Sequence, residues 1–158
     1  MGQQQILLII LGVILVGIAI TVGITMFNNQ ARQGNIDAII SDLNNLAVIA
    51  FQYRIRPISL RGGGGSFLGG EPGRYIDFAD FFYDLPEGLI DNMNGKYTIF
   101  SCAENYVIIQ GVSKTQKDPD GVNGLLTRWI RVDDIGSTEL YLTEPSDSDL
   151  NLTIPTGT

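Results

Sequence analysis

Side chains able to do chemistry are few and unevenly placed. The chain has 158 residues, no His and a single Cys, Cys102. Without His there is no Ser-His-Asp or Cys-His relay and no His/Cys zinc site, and one Cys cannot form an internal disulfide. Carboxylates remain. Asp77, Asp80, Asp84, Glu87 and Asp91 lie close together in sequence, and two carboxyls at a suitable separation would serve glycoside hydrolysis. A solvated acidic face accounts for them more simply, so no catalytic residue is assigned and an enzyme is not expected. Asp118-Pro119-Asp120-Gly121-Val122-Asn123 puts oxygen side chains at the first, third and sixth places of a loop. Calcium loops alternate oxygens around a Gly turn, which makes Asp118, Asp120 and Asn123 a candidate calcium set and calcium the one cofactor considered. Trp129 stands where an EF-hand loop would carry its bidentate Glu. Asn151-Leu152-Thr153 is an N-glycosylation sequon. Gly62-Gly63-Gly64-Gly65 lacks the Gly-Lys-Ser/Thr ending of a phosphate loop and reads as a turned surface connection.

The charges are segregated. Ten Lys and Arg face 17 Asp and Glu, a net charge of -7. Residues 1–31 carry no ionised side chain, whereas from Ile55 onward there are 8 basic and 15 acidic residues. An acidic chain lacks the basic face that nucleic acid requires, so no nucleic-acid partner is expected.

From Ile6 to Phe27 run 22 residues without a charge, Asn, Gln or Pro. At 1.5 Å per residue they span about 33 Å as a helix, enough for a hydrocarbon core of about 30 Å. A buried core helix would be shorter and one-sided. A cleaved secretory signal would need a basic start and a small-residue cleavage site; Met1-Gly2-Gln3-Gln4-Gln5 and Asn28-Asn29-Gln30 offer neither. The segment is therefore expected to be retained, with the acidic C-terminal part on the exported side. Within it, Gly17 and Thr21, Ala19 and Gly23, and Thr21 and Thr25 have small-xxx-small spacing. Such spacing lets helix backbones approach closely in an apolar medium.

Helical period continues beyond the apolar run. Ile36, Ile40, Leu43, Ala47 and Ala50 recur at steps of four and three, widened by Ile39, Leu46 and Phe51. Pro57, the first proline, predicts a stop near Arg54. Gly34-Asn35 is where a kink or local melting is expected. The one-sided half must pack on the remainder of the chain. There, Gly- and Pro-rich residues 57–74 form a connector, and Tyr75, Phe78, Phe81, Phe82 and Leu85 are expected to be core. Strand signals follow at Lys96–Cys102, Tyr106–Val112, Leu125–Val132 and Glu139–Leu142, with turns at Asn94-Gly95 and around Gly136. Cys102 reads as a small apolar strand residue. The Ser/Thr/Asp-rich tail from Pro145 reads as an edge or extended arm. The expected fold is α+β: a long N-terminal helix on a small four-stranded antiparallel sheet. Its three parts are residues 1–27, 28–56 and 57–158.

This order of parts resembles that of type IV pilins. The resemblance covers the whole chain in layout, and in sequence it is confined to residues 1–54. It implies a major-pilin-like subunit that waits in the inner membrane and is handled by a pilus assembly machinery. The subunit then polymerises with its own copies into a filament at the cell surface, for adhesion, motility or DNA uptake. Met1, Gln5, Ile6, Gly12, Gly17, Ala19, Thr21, Gly23 and Thr25 would form the assembly interface. Gln5 stands where the family usually has a Glu that neutralises a neighbour's amino terminus. The family's helix proline and C-terminal disulfide loop are absent. A minor pilin or type II secretion pseudopilin would share the layout. A membrane-tethered monomeric sensor or ligand-binding domain would share the anchor and give the glycines no role.

Overall fold

The computed structural model describes residues 2–68, 77–117 and 124–146. Helix α1 spans Gly2–Ile55, and the chain divides into two compact units, Met1–Ile36 and Asp37–Thr158. Gly34 and Asn35 are helical, so the local melting expected there does not occur.

In the second unit the rest of α1 is amphipathic and buries Ile39, Leu43, Leu46, Ala47, Ala50 and Tyr53. The buried line is turned slightly from the one read in sequence: Ile36, Ile40 and Phe51 are only half-buried. It packs on a four-stranded antiparallel sheet in the order β1-β2-β3-β4, formed by β1 Gly95–Cys102, β2 Tyr106–Lys117, β3 Leu125–Asp133 and β4 Thr138–Tyr141. The four strands and the α+β layout are those the β-branched runs predicted. Pairing Gly111 with Tyr97 and with Arg128, and Ile109 with Ile99 and Ile130, puts Tyr97, Ile109, Gly111 and Ile130 on one face. A Cβ on Gly111 would lie 3.1 Å from Ile39 and 3.0 Å from Tyr97. The absence of a side chain therefore lets α1 lie close to the sheet.

Two short helices, α2 Phe78–Tyr83 and α3 Glu87–Ile90, follow the connector. Phe67, Phe78 and Phe82 are fully buried, and Tyr53 stacks against Phe78 and Phe81 at centroid distances of 5.4 and 5.0 Å. Phe78 and Phe82 are core, as expected, whereas Phe81 and Leu85 are only half-buried; Tyr75 lies outside the described residues.

The end of α1 explains the glycine run. Pro57 cannot continue the helix, which leaves the last carbonyls needing donors. Gly63 N–H donates to the Tyr53 carbonyl at 2.8 Å, Gly65 to Arg54 at 2.8 Å, and Gly64 to Arg56 at 3.0 Å. A Cβ on Gly63 would overlap the Ser66 carbonyl oxygen, and Gly64 and Gly65 have positive φ. The run is a folded collar over the helix end, with Gly62 and Gly63 buried.

Candidate assembly surface

Among the described residues, the chain has one helix long and apolar enough to cross a membrane, α1, and its most apolar window is 0% buried. Side chains from Ile6 to Phe27 stand in the open on every side: Leu7 is 67% exposed, Val13 68% and Phe27 70%. No stripe is turned inward, and burying such a surface needs an environment that is apolar all round.

Gly12, Gly17 and Gly23 have nothing within 4 Å of where a Cβ would stand, so each is a notch open to a neighbour. The two threonines are also made small and nonpolar in effect. Thr21 Oγ1 donates to the Ile18 carbonyl and Thr25 Oγ1 to the Val22 carbonyl, both at 2.8 Å. Each hydroxyl is satisfied within its own helix and demands nothing of an apolar neighbour.

Helical geometry at about 100° per residue sorts the expected interface residues into two groups. Gln5, Gly12, Ala19 and Gly23 share one face. Ile6, Gly17, Thr21 and Thr25 share another, roughly opposite face. All of them are exposed; Met1 lies outside the described residues. The sequence pairs therefore belong to two notched sides of one helix.

No protein family, no curated protein and no solved structure matches this chain.

The other candidate chemistries fare differently. Asp118, Asp120 and Asn123, the calcium candidates, and Asn151 of the sequon lie outside the described residues. Among the described residues no group of three or more His, Cys, Asp or Glu is arranged to hold a metal. In the acidic run, Asp80, Asp84 and Glu87 are exposed, and Asp91 is paired with Lys114. The glycine run spends two of its N–H groups on α1 carbonyls and a third on the Arg56 carbonyl just beyond the helix, so those groups do not form an anion cradle. Burial and then the negative charge of Asp77 push the Cys102 thiol up to about 11, which keeps it protonated at neutral pH.

One constellation escaped the sequence reading. Asp42, off the apolar stripe, turns one carboxylate oxygen toward the sheet. That oxygen accepts from Asn92 Nδ2 at 2.9 Å, Asn94 Nδ2 at 2.9 Å and Tyr97 Oη at 2.7 Å. Burial alone would raise this carboxyl, but the bonds from Asn94, Tyr97 and Asn92 outweigh it and hold the group below its ordinary 3.8. Asn92 Oδ1 meanwhile accepts from the N–H groups of Asn94 and Gly95, shaping the turn into β1. The Asn-x-Asn spacing before a strand was the available signal. A second tie lies at the β3–β4 turn, where Arg54 Nη1 donates to the Asp134 carbonyl and Gly136 makes room for Phe51.

Proposed function

We propose that this chain is a structural subunit of a helical filament. Residues 6–27 of α1 cross a membrane before assembly, then pack against other copies, and the folded unit from Asp37 onward forms the filament surface. The observation that carries this reading is a wholly exposed, uncharged 22-residue helix with two notched faces. A tether needs length and apolarity alone. A dimer would use one notched face, whereas two roughly opposite faces give each helix two sets of neighbours and an assembly that need not close.

The energetics fit a subunit drawn from a membrane pool. Lipid is about as apolar as Leu, so moving from lipid to a helix bundle gains little hydrophobic free energy. Close backbone packing at the notches and amide bonding by Gln3, Gln4 and Gln5 would supply the preference. A machine would drive extraction. Return to water would expose the whole apolar surface at roughly 25 cal/mol per Å², so the fibre should resist dissociation. The acidic heads would face outward, and adhesion, motility or uptake would be properties of that surface.

The test is negative-stain microscopy of material sheared from cells making the parent chain or Gly17→Leu. The parent is expected to give fibres two or three heads wide. Gly17→Leu is expected to insert in the membrane normally and to give none. Detergent-soluble monomers from the parent, with no fibres, would favour the tether.

A further inference from the structure

Asn94-Gly95 is one of two Asn-Gly dipeptides in the chain, the other being Asn123-Gly124. Such a dipeptide is chemically labile. The Gly main-chain nitrogen, unshielded by a side chain, gives up its proton and attacks the Asn side-chain carbonyl carbon. The new N–C bond closes a succinimide ring, and the side-chain nitrogen leaves as ammonia. Water then opens the ring at either carbonyl, giving Asp or isoaspartate. The fold requires both residues nonetheless. Gly95 begins β1 opposite Ser113, and a Cβ there would stand 2.6 Å from the Val112 carbonyl oxygen, a backbone atom that cannot yield. Asn94 must be a donor, because its Nδ2 bonds Asp42 Oδ2 at 2.9 Å. A carboxylate in its place would face a like charge.

We infer that Asn94 is a latent deamidation site that Asp42 holds closed. Reaction needs the Asn94 side chain to swing back over its own main chain and the Gly95 nitrogen to turn toward it. One carboxylate oxygen blocks both movements. Asp42 Oδ2 holds the Asn94 amide directly. It also accepts from Asn92 Nδ2 at 2.9 Å, and so fixes Asn92 Oδ1, which accepts from Gly95 N–H at 3.1 Å and from Asn94 N–H at 2.9 Å. Electrophile and nucleophile are each tied to a partner other than one another. Gly95 is buried, and Asn92 and Asn94 are half-buried, so water does not readily replace these bonds. Opening this corner of the folded unit releases both groups at once. Conversion then runs one way. The product carboxylate faces Asp42, and the clamp becomes repulsive. Isoaspartate also adds a backbone methylene immediately before Gly95 and displaces its pairing with Ser113. Conversion at Asn94 therefore marks, irreversibly, any copy whose clamp has opened. This holds for a monomer and for a filament subunit alike.

The experiment ages the full chain in detergent at mildly alkaline pH and follows both Asn-Gly sites by peptide mass spectrometry, with isoaspartate resolved from Asp by elution. In denaturant, Asn94 and Asn123 should convert at similar rates. In the folded parent, Asn94 should convert roughly a hundredfold more slowly than in denaturant, since only the open form reacts. Asp42→Ala should speed Asn94 by about tenfold over the parent, through loss of its charge-assisted bonds. Asn92→Ala should speed it too, because Gly95 N–H loses its acceptor. Phe78→Leu weakens the same unit away from the clamp and should leave Asn94 within about twofold of the parent. Trp129 fluorescence verifies that each variant is folded. If Asn94 converts as fast in the folded parent as in denaturant, or if Asp42→Ala is no faster than Phe78→Leu, the guard is wrong. A charge exchange tests the consequence and stands even where Asp42→Ala does not fold. Asn94→Asp should lower the melting temperature, and adding Asp42→Asn should restore most of the loss, because amide and carboxylate have then changed places. No loss in Asn94→Asp, or no restoration, would overturn the claim that conversion breaks the clamp.

Discussion

Asp42→Ala should destabilise the folded unit out of proportion to its position on a half-exposed helix face. One carboxylate oxygen receives three side-chain donors at 2.9, 2.9 and 2.7 Å. Hydrogen bonds to a charged acceptor contribute about 1.5–3 kcal/mol each when well buried. Here the group is partly open to water, and freed asparagine amides can hydrate, so the lower end applies to one or two of them. The expected loss is roughly 1.5–3 kcal/mol. For a unit of this size that lowers the melting temperature by roughly 3–5 °C per kcal/mol. Asp42→Asn keeps the shape but makes the bonds neutral, and should lose about half as much. Trp129, the chain's only tryptophan, sits on β3 and is 8% exposed. Its fluorescence during thermal unfolding in detergent is a direct assay of this unit. The pH dependence has a definite sign. The folded carboxyl titrates below its ordinary 3.8, so its stabilisation is complete above about that pH and drains away as pH falls through the folded-state value. Asp42→Asn should therefore show a flatter melting temperature between neutral and strongly acid pH than the parent. A cycle with Tyr97→Phe should give a coupling of about 1 kcal/mol between the two side chains. Equal acid sensitivity of parent and Asp42→Asn, with coupling near zero, would refute the clamp.

Further outcomes follow from other parts of the chain. Gly63→Ala should destabilise by about 2 kcal/mol or more, because its Cβ overlaps a backbone oxygen and the collar over the α1 carbonyls must open; melting would measure this, and an unchanged midpoint would count against the collar. Phe78→Ala should lose about 3–5 kcal/mol, since Phe78 is fully buried against Tyr53, Phe67 and Phe82. Gln5→Glu should raise fibre yield if a partner's amino terminus lies near Gln5 in the polymer; an unchanged yield would mean that terminus is satisfied by something else.

The fold was largely legible from sequence because its signals are strong and local. Uniform apolarity from Ile6 to Phe27, three-four spacing from Ile36 to Ala50, and β-branched runs bounded by Asn, Asp and Gly each favour one structure. Pro57 placed the helix end to within one residue of Ile55. What sequence could not give were features made by long-range contact. Nothing local marks Asp42, because its three donors are 50, 52 and 55 positions away. The glycine run looked like a surface loop because nothing local reveals that its N–H groups turn back onto α1. The interface residues were read as one set of small-residue pairs, and only the helical phase separates Gln5, Gly12, Ala19 and Gly23 from Ile6, Gly17, Thr21 and Thr25.

The most direct measurement of the central claim is a three-dimensional reconstruction of the fibre at a resolution that traces helices. The account predicts the Ile6–Phe27 helices of many copies packed together along the axis, with Gly12 and Gly17 at points of closest backbone approach. A reconstruction in which that helix meets only lipid or detergent, or in which the folded units alone hold the fibre together, would contradict it.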